Sequence, residues 1–259
     1  MFAIVTGAST GIGAAIVKAL VKTGHSVAGL ARDADKLAAL HRALGERFQP
    51  HACDITDDTV FAAVLRQIAD THGRIDLLVN NAGSAKVMSI ADTTPEQFRA
   101  MHDLNVHAPA TAIHTLWSTL CAHGDARIVN VSSLAQLDPF PGFFAYASSK
   151  SALHLLTVVA NAEGEPHGVR AFTVAPGVVD TPLHRSLMPE GIASVDGLSS
   201  TLQPADVAAL VMKIADGALD ARAGWVLAMP APAAVASLRR WIIEHPGGGV
   251  DIVSGDIID

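Results

Sequence analysis

Tyr146 and Lys150 lie four residues apart in the run Tyr-Ala-Ser-Ser-Lys, and Ser133 precedes the tyrosine by thirteen positions. On a helix, residues four apart project from one face, so an ammonium at 150 can sit beneath a phenol at 146. A neighbouring cation favours the phenolate, and each unit it takes off a tyrosine pKa of about 10 corresponds to about 1.4 kcal/mol. The spacing therefore predicts a tyrosine turned into a usable acid by its lysine. Tyr146 is the only tyrosine in the chain. The plainer reading is a pair of amphipathic side chains at a core boundary with their polar tips in water. Other segments of the chain decide between the two.

At the N-terminus, Phe2-Ala-Ile-Val-Thr6 reads as a buried strand that runs into Gly7-Ala-Ser-Thr-Gly11-Ile-Gly13 and then into an apolar-periodic helix through Leu20 and Val21. A strand, glycine turn and helix of this kind binds anions. Glycines let the backbone approach a pyrophosphate, and unpaired amides at the helix N-terminus meet its charge. A tight turn that only packs helix on strand is the alternative.

The elements that must position these groups follow from the apolar pattern. Strand-like runs at 26–31, 76–80, 126–131 and 169–174 alternate with helix-like runs, and no linker interrupts them before residue 230. The runs are nearly continuous apolar, as in Leu77-Leu-Val79 and Ile128-Val-Asn-Val131, which is what burial on both faces demands. The expected fold is α/β: a single Rossmann-like domain with a doubly wound parallel sheet and helices on both faces. With 259 residues, half of them hydrophobic, the chain has enough material for one large core. A domain at 1–230 is expected, with a segment at 181–203 suited to a lid and an extension at 231–259. Within that extension a helix is expected around Leu238, Trp241 and Ile242, after a last strand at Trp225–Met229.

Composition excludes several classes. A net charge of −7 with no basic run argues against nucleic acid as a partner. Apolar stretches are cut by Lys18, Lys150 or Lys213 before membrane-spanning length, and the N-terminus lacks a basic targeting segment, so no membrane association is expected. Cys53 and Cys121 have no paired spacing, which fits a reducing compartment and a cytoplasmic location. His102, His107 and His114 show no ligand spacing along one long helix, and no metal is expected.

In order along the chain stand Thr6-Gly-x-x-x-Gly-Ile-Gly13, Asp54, Asn80-Asn-Ala-Gly83, Asn105, Ser133, Tyr146-x-x-x-Lys150 and Pro176-Gly177. With these motifs the chain resembles the short-chain dehydrogenase/reductase family over about residues 2 to 230, and the glycine spacing is that of its compact one-domain members. The resemblance implies an NAD(P)-dependent oxidoreductase acting on CH–OH or C=O groups. Tyr146 would be the proton donor and acceptor. Lys150 would lower its pKa and hold the nicotinamide ribose, Ser133 would hydrogen-bond the reacting oxygen, and Asn105 would position a water beside Lys150. Coenzyme contacts are implied for Gly7, Ser9, Thr10, Gly11, Ile12, Gly13, Asp54, Ile55, Asn81, Ala82, Gly83, Tyr146, Lys150, Pro176, Gly177, Val179 and Thr181.

Coenzyme choice turns on the end of the second strand. A fold preferring NAD usually places an acid there for the ribose 2′-hydroxyl. Here the position is Ala31, followed by Arg32, whose guanidinium suits a 2′-phosphate. NADP(H) is therefore expected, with NAD(H) left open because Asp33 is free either to claim Arg32 or to bind a ribose itself. The substrate pocket is expected around Ser133, Leu134, Phe140, Phe144, Leu183 and Leu187, with Gln136, Phe143, Ser84 and Met88 nearby. These are mostly apolar, which favours a small hydrophobic carbonyl or secondary alcohol; His184 and Arg185 are further candidates to touch a polar end. A ketoreductase of carrier-bound acyl chains and a non-catalytic NADP(H)-binding regulator are the alternatives. The helix around 146–162 is apolar on more than one face, which suits a homodimer or homotetramer.

Overall fold

The computed structural model describes residues 1–187, 201–230, 235–244 and 249–253. Expectations that fall on 188–200, including Gly191 and Gly197 of the suggested lid, lie outside the described residues. So do those for 231–234, 245–248 and 254–259.

Eight strands form one parallel sheet: β1 Phe2–Thr6, β2 Ser26–Ala31, β3 Phe48–Ala52, β4 Leu77–Asn80, β5 Ala126–Val131, β6 Val169–Pro176, β7 Val226–Met229 and β8 Val250–Ile252. Their spatial order is β3-β2-β1-β4-β5-β6-β7-β8. The chain thus winds outward one way from β1, then returns and winds the other way from β4, which opens a crevice between the carboxyl ends of these two strands.

The helices are α1 Gly11–Lys22, α2 Ala34–Leu44, α3 Asp58–His72, α4 Pro95–His102, α5 Ala108–Cys121, α6 Phe144–Gly164, α7 Pro182–Leu187, α8 Pro204–Ala215 and α9 Val235–Glu244. Alternate strand residues serve opposite layers. Ala3, Val5, Leu77 and Val79 join α1, α2 and α8 in one core, whereas Ile4, Leu78 and Ile128 join α3 and α5 in the other. Two covered faces explain why the strand sequences show continuous apolar runs and no alternation. Among the described residues, no helix is long and apolar enough to cross a membrane.

Two strands escape the sequence reading. β3 is Phe-Gln-Pro-His-Ala, half-exposed and containing Pro50, a composition tolerated because the strand lies at the sheet edge. β8 lies at the opposite edge beside β7, where Arg222 Nε reaches Asp251 Oδ2 at 3.0 Å. The last strand is therefore not 225–229, and part of the extension completes the sheet. The long helix carrying His102, His107 and His114 is continuous but passes through a π-helical turn at Asp103–His107 between α4 and α5. That irregular turn buries Asn105 completely.

The glycine turn has a steric cause. A Cβ on Gly13 would lie 2.2 Å from the Gly7 carbonyl oxygen, and Gly7 itself has φ of +67°. Gly13→Ala gains a few tenths of a kcal/mol or more in helix propensity. The backbone clash outweighs that gain, so urea denaturation is expected to show a net loss of about 2 kcal/mol.

Candidate active site

α6 brings Tyr146 and Lys150 to the carboxyl end of β5, where Ser133 follows the strand. Lys150 is only 4% exposed. Its Nζ donates to the Val131 carbonyl at 2.9 Å and lies 5.9 Å from the centre of the Tyr146 ring. Ser132 turns away from Ser133 and donates to the Lys150 carbonyl at 3.1 Å. The Ser133 hydroxyl accepts from Ala135 N at 3.2 Å, so it caps a short turn while facing the groove. Asn105 donates to Ser149 Oγ and to the Ser84 carbonyl, each at 3.0 Å, and accepts from Ser84 N at 3.0 Å. Gly83 completes the group, because a Cβ there would stand 3.1 Å from Asn105 Oδ1 and 3.3 Å from Lys150 Nζ. The sequence-predicted Ser133, Tyr146, Lys150 and Asn105 therefore converge.

Their ionisation corrects one expectation. Helical spacing predicts that Lys150 pulls the tyrosine down, yet the phenol stands above its ordinary value. Tyr146 opens partly onto the groove, but the packing around it still raises its pKa, with the Ser133 hydroxyl pulling the other way. Burial also brings the Lys150 ammonium down to about 8. The physical reason is that desolvation penalises both charged forms, while the ammonium lies 5.9 Å from the ring centre and directs one of its N–H groups to Val131.

A groove of about 1280 Å³ runs from the β1 turn past these groups. Gly7, Ser9, Thr10, Gly11 and Ile12 line it, and Gly13 lies behind them as the close-approach position. Thr6 Oγ1 accepts from the backbone of both Asn81 and Ala82 at 3.1 Å, and Asn81 Nδ2 donates to the Thr6 carbonyl at 2.9 Å. These bonds tie β1 to the end of β4 across the crevice. Asn81, Ala82 and Gly83 then line the groove, as do Ile55, Pro176, Gly177, Val179 and Thr181.

At the end of β2, Arg32 is exposed and lines the groove. Asp33 and Lys36 line it too, and Asp33 does not pair with Arg32: it caps α2 by accepting from Lys36 N at 3.0 Å and pairs with Lys36 Nζ at 2.6 Å. Asp54 does not cap the next helix, since Asp57 does so. Instead it accepts from Thr56 N and Oγ1 at 3.0 and 2.8 Å. Those bonds, with a smaller effect of Arg32, hold its carboxyl below the usual range.

Of the predicted pocket residues, Ser133, Leu134, Phe140, Leu183 and Leu187 line the groove together with Phe143 and Ser84. Phe144 does not. It is 47% exposed and its ring centre lies 5.4 Å from that of Phe98, because one step along a helix turns a side chain by about 100° away from its neighbour. Gln136 and Met88 also lie outside the lining, Met88 being bridged to Phe143 on the backbone. Arg185 is committed to Asp180 by two hydrogen bonds of 2.8 Å, whereas His184 lines the groove. Cys53, Val87 and Leu238 line it unforeseen. The first two neighbour recognised motifs in sequence, but Leu238 arrives from α9 with no local signal. Among the described residues, no group of three His, Cys, Asp or Glu side chains is placed to hold a metal ion.

A Rossmann-like sheet with serine, tyrosine and lysine at its carboxyl edge is the arrangement of a nucleotide-dependent oxidoreductase. The family model for short chain dehydrogenases matches residues 1–191, and the chain belongs to that family. A probable NADP-dependent dehydrogenase of Haemophilus influenzae is 31% identical over 215 residues, covering 81% of this chain and 85% of the relative. A serine 3-dehydrogenase of Rhizobium radiobacter is 33% identical over 179 residues, covering 69% and 72%. Among solved structures, ElxO with NADP bound superposes with a TM-score of 0.83 at 25% identity, covering 91% of this chain and 98% of that one. The protein is thus an oxidoreductase of the short-chain dehydrogenase class.

Two measurements test the electrostatics. Because Tyr146 is the lone tyrosine, ultraviolet titration of phenolate reads it directly; the midpoint is expected above about 10, and higher still in Ser133→Ala. For Lys150, the folded value is about 8 against 10.5 in the unfolded chain. Between these the unfolded chain binds more protons, so this site's contribution to stability rises as pH climbs through that window, and below it the buried charge is a constant cost. Lys150→Met is therefore expected to be more stable than wild type at pH 7 by on the order of 2 kcal/mol, after loss of the Val131 bond. The difference should vanish toward pH 10.5.

Proposed function

We propose that the protein is an NADP(H)-dependent oxidoreductase that interconverts the carbonyl and secondary alcohol of a small, largely apolar substrate, with Tyr146 as acid and base. The observation that carries this reading is the convergence of Ser133, Tyr146 and Lys150 on one groove that also presents Arg32, with Asn105 buried behind them on Ser149 and Ser84. The glycine turn, the tie between Thr6 and Asn81, and the Pro176–Thr181 segment fit an extended dinucleotide, and the groove is larger than the roughly 300–1,000 Å³ that a small ligand alone occupies.

In this reading Gly7, Ser9, Thr10, Gly11, Ile12 and Gly13 would hold the pyrophosphate side, with Arg32 at a 2′-phosphate and Asp54 and Ile55 at the adenine. Asn81, Ala82 and Gly83 would face the adenosine ribose, and Pro176, Gly177, Val179 and Thr181 the nicotinamide, which supplies or accepts the hydride when bound. The H. influenzae relative and ElxO support the choice of NADP. Tyr146 donates its hydroxyl proton to the carbonyl oxygen in reduction and takes it back in oxidation. Ser133 donates a hydrogen bond to the same oxygen as charge builds on it. Lys150 orients the ribose and feeds the proton path that Asn105 organises. Leu134, Phe140, Phe143, Leu183 and Leu187 surround the substrate and exclude water.

A carrier-bound substrate would need a basic docking patch near the pocket; of the scattered candidates Lys86, Arg99 and Arg185, Arg99 pairs with Glu96 and Arg185 with Asp180, while Lys86 is exposed, which weighs against that alternative. The catalytic domain in this reading comprises residues 1–230 together with the part of the 231–259 extension that supplies β8 to the sheet and Leu238 to the groove. Leu155, Val158 and Val159 on α6 are 64%, 38% and 54% exposed, which supports pairing of subunits through this helix.

The test is loss of NADPH absorbance, and separately NADH, against apolar ketones, aldehydes and quinones. Wild type is expected to turn over with NADPH faster. Tyr146→Phe should fall by about 10²- to 10⁴-fold. Arg32→Ala should raise the KM for NADPH about tenfold and leave that for NADH unchanged. Binding of both coenzymes with no turnover of any carbonyl would overturn the reading.

A further inference from the structure

The layer between α6 and the sheet contains a row of polar groups that the chemistry above does not use. In register across three adjacent strands stand Asn80 on β4, Asn130 on β5 and Thr173 on β6. Asn80 is 2% exposed and the other two are fully buried. Asn80 Nδ2 donates to Asn130 Oδ1 at 2.8 Å, and Asn130 Nδ2 donates to Thr157 Oγ1 at 2.8 Å. Thr157 Oγ1 in turn donates to the Leu153 carbonyl at 3.0 Å. One turn earlier on α6, His154 Nδ1 is hydrogen-bonded to Thr173 Oγ1 at 3.0 Å. Burial holds His154 below the ordinary imidazole range, so the ring that makes this contact is neutral near pH 7.

Apolar residues of the same volume would fill this layer at no cost in unsatisfied polar groups. What the polar contacts add is direction. A greasy interface tolerates sliding, whereas slipping a helix by one residue shifts it about 1.5 Å and turns it about 100°, and bonds of 2.8–3.0 Å do not survive that. His154 follows Lys150 by four residues and Tyr146 by eight, so all three lie along one stripe of α6. The end of the stripe nearest the groove is held by Ser132 and Asn105; the far end is held by the polar row, by Asn161, whose Oδ1 accepts from Ala171 N at 3.1 Å, and by apolar packing.

We propose that His154 and Thr157 are positioning residues. Seated on Thr173 and Asn130, they set the rotation and axial register of α6 that bring Tyr146 and Lys150 to Ser133. The proposal rests on the role given to Tyr146 above, but the readout does not, because the lone tyrosine can be titrated without coenzyme or substrate.

The variants are Thr157→Val and His154→Phe, which keep volume and lose the bonds, and Thr157→Ser and His154→Asn, which retain a polar group at the contact. Each is titrated for phenolate by ultraviolet absorbance, assayed for kcat and KM with NADPH and the best carbonyl of the panel, and melted. The first two are expected to move the Tyr146 midpoint by about half a unit or more and to lower kcat about tenfold with little change in substrate KM. The polar replacements should stay near wild type in both. Wild-type midpoints in Thr157→Val and His154→Phe, with only the melting temperature lowered, would overturn the proposal and leave the row a purely structural one. If Thr157→Val does not fold, the His154 pair decides alone. If wild type turns over no carbonyl, the proposed function fails while the titration still settles the positioning role.

Discussion

The seating of α6 against β5 and β6 is the contact on which the site depends. It carries both the phenol and the ammonium, and it places the ammonium on the Val131 carbonyl, over the Tyr146 ring and close to Gly83. A lysine 4% exposed carries a desolvation cost, and burial is what draws its pKa to about 8. The fold tolerates this because the parallel sheet and the surrounding helices supply far more apolar burial than one ammonium removes. Helix α6 is accordingly held by directional contacts at several levels, from Ser132 and Asn105 near the groove to Thr157 and His154 deeper in the layer.

The second constraint is topological. A parallel sheet covered on both faces can expose polar function only at the ends of its strands, and the reversal between β1 and β4 opens the crevice at their carboxyl ends. Thr6 and Asn81 close the seam on the sheet side of that crevice. Gly7 and Gly13 let the turn come close to it, and the π-helical turn between α4 and α5 tips Asn105 into the same region. Edges of the sheet obey a different rule: β8 has only three residues, and both it and β3 carry polar residues, features that discourage pairing of an edge with other chains.

Much of this was written locally in the chain. Continuous apolar runs marked β1, β2, β4, β5, β6 and β7 because burial on both faces demands them, and the glycine turn marked α1. Tyr146 and Lys150 were legible because their helical spacing is a local property, whereas Ser133 and Asn105 were singled out through the resemblance to the short-chain dehydrogenase/reductase family. Edge strands β3 and β8 were not legible, since half-exposed strands containing Pro50 or Asp251 lack the continuous apolar signature. Nor was the division between Phe143, which lines the groove, and Phe144, which faces Phe98; adjacent aromatics look alike until a helix start fixes their directions. Leu238 reaches the groove from more than ninety residues beyond Tyr146, and no local pattern announces such a contact.

The sequence by itself thus determined the fold class, the coenzyme-type turn and which side chains could do chemistry, since periodicity and spacing are short-range. Only the tertiary structure decided how those side chains are charged and aimed. Spacing alone put a cation beneath a phenol and predicted a lowered pKa. Depth of burial, a sum over the whole surrounding core, instead raises the phenol and lowers the ammonium, because desolvation acts on every buried charge whatever its neighbours in sequence.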